Sequence, residues 1–351
     1  MKSKVINPQL SGCNAVKPAQ GVGIVAIGMY VPPKIAANSD FVNVHLTPQE
    51  EAFFSSDPHF ADNKRRVAEN ESAMEMAVKA AKKAINNYNI DPKSIDLVLF
   101  TSSCKDLSRL APPAANYIQT AIGADNANSF NIDGGFNGWL PSVITGASYI
   151  ASGFYKRVLV VTGETIVSSM DTHTSETLFM GDGAGAVVLE KVDEGNGLLS
   201  FHMMSKECVS AAGVRVNGGY PNYNNNNWEI RPYLYVAPDS FERDTPALET
   251  YIPFSVKESL NALSSNPQDI DCFIFGQQFF ALNVTWAKKL NVDYSKVHDT
   301  IGDYACMKCA SIPVTLADAV ENGRIKKGDL IAFGDQGANW SISSAIFKWC
   351  I

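Results

Sequence analysis

Apolar runs alternate with amphipathic runs along most of the chain. At residues 71–88, Ala, Met and Val recur at helical spacing with lysines on the opposite face, which predicts an amphipathic helix. Residues 95–102 are almost wholly apolar, as in a parallel strand that is covered on both faces. Further strands are predicted at 22–30, 129–132, 157–163, 181–191, 198–208, 271–276, 329–334 and 343–349. Further helices are predicted at 112–122, 141–154, 253–263, 280–290 and 312–322.

The two halves of the chain repeat one pattern. Residues 77–100 (AVKAAKKAINNYNIDPKSIDLVLF) and 255–275 (SVKESLNALSSNPQDIDCFIF) each give an amphipathic helix, a stop with Asn and Pro, and a buried strand. Only two copies occur, which indicates a duplicated unit rather than a solenoid. We therefore expect parallel sheets covered by helices, in a five-layered α/β/α/β/α fold built from two similar halves.

These patterns divide the chain into three parts. Residues 1–20 are predicted to be a flexible leader, 21–195 the N-terminal half and 196–351 the C-terminal half. The turn-rich stretch GGYPNYNNNNW predicts a loop insertion over about 213–250.

The most informative stretch is 129–140, SFNIDGGFNGWL, where a strand runs through closely spaced glycines into a long apolar helix. Such a turn presents one side chain at a helix N-terminus, which in enzymes stabilises a nucleophile and developing negative charge. The residue at this position is Phe136, which has no nucleophilic atom. We interpret it as a plug of the pocket, with chance drift as the alternative.

Composition and charge exclude several classes of function. The net charge of −7 argues against nucleic acid as a partner, and no apolar run is long enough for a membrane span. Seven cysteines without framework spacing predict reduced thiols in a cytoplasmic protein. The five histidines lack metal-ligand spacing, so we predict no metal and no cofactor.

Several motifs resemble those of the thiolase superfamily, specifically its ketoacyl-ACP synthase III branch. They are NIDGGFNGW, FMGDGAGAVVLE, AKKLNV, ASIPVTLADAVENGRIKKGD and AFGDQGANW, and they extend the similarity over residues 21–351. The resemblance implies the five-layered fold. It also implies a cysteine that carries the acyl group and a histidine and an asparagine that support condensation with a malonyl thioester.

None of these three groups is present at the matching positions. The elbow cysteine falls on Phe136, the histidine on Gly276 and the asparagine on Cys306. The resemblance therefore implies a family member that cannot condense by the family route. In this respect it resembles the non-catalytic partner subunits of heterodimeric ketosynthases, such as that of the alkylquinolone-forming synthase.

Other positions depart from the family or remain as candidates. The terminal glycine loop, marked by Gly334 and Gly337, is longer and charged, and the arginine of the carrier-docking helix is replaced by Ala281. Lys288 and Lys289 remain as a weak docking site for acyl carrier protein, and binding of acyl-CoA stays open. The pocket candidates are Asp133, Asn137, Gln277, Gln278 and Asp335.

Three functions remain open from the sequence. The first is a degenerate subunit that pairs with an active ketosynthase in making a fatty-acyl or polyketide-type secondary metabolite. The second is an enzyme whose remodelled pocket performs hydrolysis, ester or amide formation, or cyclisation. There Cys306 of the C-x-x-C motif at 306–309 is a candidate substitute nucleophile. The third is a binding or scaffolding homodimer.

Overall fold

The computed structural model describes most of the chain. The described residues are 14–40, 44, 46, 48, 51–52, 55, 58, 64–103, 112–169, 175–205, 212–216, 232–236, 240–337 and 340–351. Most of the predicted leader, residues 1–13, lies outside them, while Val16 forms a backbone bridge to Phe201.

The predicted helices and strands are all present in the predicted order, and the structure adds short elements that the sequence did not predict. The strands are β1 Val22–Tyr30, β2 Ile35–Ala36, β3 Arg65–Arg66, β4 Leu97–Thr101, β5 Asn128–Asn131, β6 Arg157–Glu164, β7 Gly183–Lys191, β8 Gly197–Ser205, β9 Ala212–Val216, β10 Pro232–Val236, β11 Cys272–Phe275, β12 Leu330–Gln336 and β13 Ser341–Lys348. The helices are α1 Ala73–Asn87, α2 Ala114–Ile122, α3 Trp139–Ala151, α4 Ile166–Ser169, α5 Ser240–Leu263, α6 Phe280–Leu290, α7 Ile301–Tyr304 and α8 Ser311–Glu321.

Two large sheets have the same internal order. The first runs β5-β4-β6-β7-β1 and the second runs β11-β12-β13-β8. In each, a parallel pair (β4 with β6, β11 with β12) is followed by two antiparallel neighbours. The expectation of parallel sheets therefore needs correction, because both sheets are mixed and contain antiparallel pairs as well. Strand β13 follows β12 along the chain without a crossover helix, which favours their antiparallel pairing.

The layers follow from where the apolar side chains pack. Helices α1 and α2 cover one face of the first sheet, and α5 and α6 cover one face of the second. Between the sheets lie α3 and α8, in a core where Trp139 meets Phe333 edge to face with ring centroids 5.9 Å apart. This arrangement confirms the predicted α/β/α/β/α fold.

The stretch 213–250, predicted as an exposed loop, contains regular structure. Strands β9 and β10 form a two-stranded antiparallel sheet, and α5 begins at Ser240 rather than near 253. The Asn- and Gly-rich residues between the strands hid their alternating pattern. Pro246 and Pro253 lie within the helix, at positions that normally indicate a boundary.

Candidate functional site

The elbow between β5 and α3 keeps the backbone geometry that its glycines predict. A 3-10 turn, Gly135–Asn137, joins the strand to the helix, and Gly135 has a φ of 58°. This left-handed conformation favours glycine. At Gly138, an added Cβ would overlap the Thr101 hydroxyl, because the turn passes directly against the end of β4.

Contacts from the second half of the chain hold the elbow. The Cys309 thiol donates to the Gly135 carbonyl at 2.9 Å, and the Ser343 hydroxyl donates to Asn137 Oδ1 at 2.6 Å. Between them, the Lys308 ammonium lies over the ring of Phe136, 4.6 Å from its centroid. The half-buried Phe136 ring is therefore held in the turn between β5 and α3 by the charge of Lys308.

Cys306 faces an apolar environment rather than a polar site. It is 1 % exposed and packs in one cluster with Ile166, Val167 and Met180. Its backbone N–H donates to the Phe179 carbonyl at 2.7 Å, and its carbonyl accepts from the Gly181 N–H at 2.9 Å. Cys306 thus packs as an apolar residue, and its backbone forms an isolated bridge with Met180.

The other cysteine of the C-x-x-C motif is also a buried free thiol. Burial raises the pKa of Cys309 well above its usual value, and the negative charge of Glu164 raises it further. A raised pKa suppresses the thiolate form that attacks electrophiles. Cys309 therefore ties the elbow to the 3-10 turn Lys308–Ala310 as a hydrogen-bond donor.

Gly276 and Asp335 occupy one space between neighbouring parallel strands. Gly276 follows β11, and its N–H donates to the Gly334 carbonyl of β12 at 2.9 Å. A Cβ added at Gly276 would overlap Asp335 Oδ1. The carboxyl group thus fills the volume that a side chain at position 276 would need.

Asp335 is nearly inaccessible to solvent, with 3 % exposure. Burial raises its pKa well above the usual value, against smaller lowering effects of the Gln336 N–H and the positive charge of Lys308. Asp335 lies opposite Ser343 in the β12–β13 ladder, so both side chains lie on the face that meets the elbow. The structure therefore brings together Phe136, Asn137, Gly276, Asp335 and the unpredicted Lys308.

The side-chain amides of the two predicted glutamines, Gln277 and Gln278, form hydrogen bonds with backbone groups. Gln277 is buried, where it donates to the Phe275 carbonyl at 2.8 Å and accepts from the Thr300 N–H at 3.1 Å. Gln278 donates to the Gln336 carbonyl at 2.8 Å. Both amides are used to hold the segment between β11 and α6.

Four further candidates lie elsewhere. Asp133 is exposed, and its carboxylate accepts a long hydrogen bond of 3.4 Å from the Gly135 N–H. Gly337 closes the turn after β12, where its N–H donates to the Ser341 carbonyl at 2.8 Å. On α6, Lys288 and Lys289 are exposed, and the Lys289 ammonium lies 3.3 Å from a Glu249 carboxylate oxygen.

Sequence reasoning missed Lys308 and Glu164. Lys308 lies inside the C-x-x-C motif, where only the cysteines were considered. The signal that could have identified it is a lysine within an otherwise apolar segment. Glu164, at the end of the buried strand β6, accepts from the Ser103 N–H at 2.7 Å. In the part of the chain that the structure describes, no group of three His, Cys, Asp or Glu side chains could hold a metal ion.

Membrane insertion finds no support among the helices that the structure describes, since none is long and apolar enough to cross a bilayer.

Comparison with family models identifies two matching regions. Residues 130–207 match "3-Oxoacyl-[acyl-carrier-protein (ACP)] synthase III", and residues 260–349 match the C-terminal model of the same name. The β-ketoacyl-[acyl-carrier-protein] synthase III of Clostridioides difficile is 33 % identical over 347 residues, covering 94 % of this chain and 98 % of its own. A synthase III of Bacillus cereus is 30 % identical over 330 residues, covering 93 % and 99 %.

Solved structures share the fold. The 3-oxoacyl-[acyl-carrier-protein] synthase III of Aquifex aeolicus superimposes with a TM-score of 0.81 at 24 % identity, covering 94 % of this chain and all of its own. The priming β-ketosynthase of the R1128 polyketide pathway gives a TM-score of 0.80 at 21 % identity, covering 98 % and 99 %.

Proposed function

The chain belongs to the ketoacyl-ACP synthase III family, and within it we propose a non-condensing subunit that pairs with an active ketosynthase-like chain. The complex would carry out acyl transfer and condensation for a fatty-acyl or polyketide-type secondary metabolite. Acyl carrier protein or acyl-CoA would deliver the acyl group. This chain would contribute structure to the partner's pocket rather than a nucleophile.

One observation carries this proposal: an aromatic ring occupies the elbow, and the Lys308 ammonium from the second half of the chain lies over it. A thioester intermediate needs a thiolate or another nucleophilic atom, and Phe136 offers none. Neither nearby cysteine substitutes for it, because Cys306 packs among apolar side chains and the raised pKa of Cys309 keeps its thiol protonated. The intact elbow backbone favours a retained structural role over decay.

Location in the cytoplasm is part of the same proposal. The cysteines that the structure describes, Cys272, Cys306, Cys309 and Cys350, are all free. Free thiols are typical of a reducing compartment.

Co-expression with an intact synthase III-like chain from the same organism tests the proposal. We expect the two chains to copurify as one complex, and we expect this chain alone to show no condensation of acetyl-CoA with malonyl-ACP. Condensation by the isolated chain would contradict the proposal. So would a chain that stays apart from the partner and leaves its rate and product unchanged.

A second candidate function is non-condensing acyl chemistry, and the buried Asp335 carboxyl favours it. A carboxyl with a raised pKa in a pocket is a candidate general acid or base. Turnover of an acyl thioester by the isolated chain, lost in Asp335→Asn and kept in Cys306→Ala, would support this function over the first.

A further inference from the structure

Strand β8 forms one edge of the second sheet, next to β13. Phe201 lies opposite Ala345 of β13, but its N–H and carbonyl both bond to Val16, so they point away from β13. Backbone groups of an antiparallel strand alternate in direction, so the N–H and carbonyl of Met203 point the same way as those of Phe201. Strand β8 therefore presents backbone donors and acceptors along an edge of the sheet.

The composition of β8 offers no protection against strand pairing. Its sequence, GLLSFHMMS, contains no lysine, arginine, aspartate, glutamate or proline, and Met203 is 38 % exposed. Proteins protect outer strands with lysine, with proline or with a covering segment, because uncharged apolar edges pair with strands of other molecules. An uncovered β8 would therefore accept a strand from another chain.

A short segment near the N-terminus, residues 14–18, covers this edge, and we call it the capping segment. The Val16 N–H donates to the Phe201 carbonyl at 2.8 Å, and the Phe201 N–H donates to the Val16 carbonyl at 3.0 Å. This reciprocal exchange is the hydrogen-bonded pair of an antiparallel ladder. The same register places Asn14 opposite Met203, so the capping segment follows β8 as an added outer strand.

The capping segment carries the protective residues that β8 lacks. Lys17 is exposed, and Pro18 follows it directly. Pro18 has no N–H, so it cannot donate to a ladder and ends the pairing. The edge of the enlarged sheet is thus a short segment with a lysine and a proline, in place of nine residues without a Lys, Arg, Asp, Glu or Pro.

The opposite edge of the same sheet is covered in a similar way. Phe273 of the outer strand β11 forms an isolated parallel bridge with Val297, and its carbonyl accepts from the His298 N–H at 2.9 Å. The cover on β8 therefore has a counterpart at β11. Both outer strands of the second sheet bond to a segment of their own chain.

We propose that the capping segment shields an edge of β8 that otherwise pairs with β8 of a second copy of this chain. Because the segment belongs to the same chain, its high local concentration favours it over the second copy. Once the segment is detached, two copies join β8 to β8 in an antiparallel pair around a twofold axis. This surface is independent of the proposed function, since neither the elbow nor β5 takes part.

Residue-resolved hydrogen–deuterium exchange of dilute full-length protein tests the cover. Val16→Pro removes the donor to Phe201, so the Phe201 amide should exchange about tenfold faster, as expected for loss of about one net hydrogen bond. The His202 amide should stay slow, because by alternation it points toward β13. Ala15→Pro is the matched control: its N–H points away from β8, so Phe201 should exchange as in wild type.

Sedimentation of the same proteins at rising concentration tests the shielding. Val16→Pro should reach a higher average mass than wild type, whereas Ala15→Pro should match wild type. Adding Met203→Lys to Val16→Pro should restore the wild-type mass, because a lysine on the open edge opposes strand pairing. Near-UV circular dichroism confirms that each variant is folded.

Three results would overturn the proposal. The first is equal exchange of the Phe201 amide in wild type and in Val16→Pro, which means that Val16 does not cover β8. The second is a Val16→Pro protein that sediments as wild type does at every concentration. The third is additional mass that persists after Met203→Lys, which places the association on another surface.

Discussion

At the scale of single residues, the site depends on how Gly276 after β11 and Asp335 of β12 share one space. Here position 276 is glycine, and the Asp335 carboxyl fills the adjacent volume. The two positions are sterically coupled, so a change at one alters what the other can hold.

Gly276→Ala should therefore destabilise the fold by about 1–3 kcal/mol, because the added methyl overpacks against Asp335. In the Asp335→Gly background the same change should cost less than about 1 kcal/mol. Urea unfolding of wild type, both single variants and the double variant gives the coupling free energy. Additive effects within error would show that Asp335 does not fill this volume.

The sequence predicts part of this site. The register of the motifs predicts that Phe136, Gly276 and Cys306 stand at the three family positions, and it makes Asp335 a pocket candidate. The sequence could not predict that Lys308 lies over Phe136, because no local sequence pattern indicates a lysine with a positive φ. It also could not show that the Cys306 thiol is turned toward apolar neighbours, since that depends on tertiary packing.

At the scale of elements, the buried carboxylate of Asp182 links three segments next to the first sheet by hydrogen bonds. Asp182, directly before β7, accepts from the Ala68 N–H at 2.9 Å and from the Val167 N–H of α4 at 2.8 Å. Burial raises its pKa to about 7, although these N–H groups act to lower it. The native state thus binds this proton more tightly than the unfolded chain does.

Stability should consequently fall as the pH rises. The contribution of Asp182 to the free energy of unfolding is complete below its unfolded pKa of about 4 and is lost through about pH 7. Asp182→Asn cannot titrate and should show a flatter profile over this range. Urea unfolding from about pH 4.5 to 7.5 measures both slopes. Equal slopes of unfolding free energy against pH in wild type and in Asp182→Asn would show that Asp182 does not cause the pH dependence.

Element boundaries follow local signals where those signals are strong. Helix α1 begins after Ser72, whose hydroxyl accepts from the Glu75 N–H while the Glu75 carboxylate accepts from the Ser72 N–H. The predicted and observed ranges for this helix differ by only one or two residues. The early start of α5 could not be read from the sequence, because its two internal prolines normally indicate a helix boundary.

At the scale of the whole molecule, β5 forms an outer strand of the first sheet and leads directly into the elbow. The N–H groups of Asn128 and Ile132 donate to carbonyls of Asp96 and Phe100, so the alternating N–H of Asn131 faces away from β4. Outer strands are ready to pair with another chain. Assembly through β5 would place the elbows of two chains close together.

Hydrogen–deuterium exchange of β5 tests this mode of assembly. In the complex, the Asn131 amide should exchange more slowly than in the isolated subunit, because pairing with a partner strand covers it. Asn128, already bonded to Asp96, should remain slow in both states. Equal exchange of Asn131 in both states would place the interface elsewhere.

We expect this chain to carry no acyl group on its elbow. The most direct test of this expectation is intact-protein mass spectrometry after incubation with acetyl-CoA and with acetyl-N-acetylcysteamine. Wild-type protein should keep its mass, whereas Phe136→Cys should gain one acetyl group, because its thiol would lie near the N-terminus of α3. Acetylation of folded wild-type protein, mapped by peptide digestion to Cys306 or Cys309, would contradict the account.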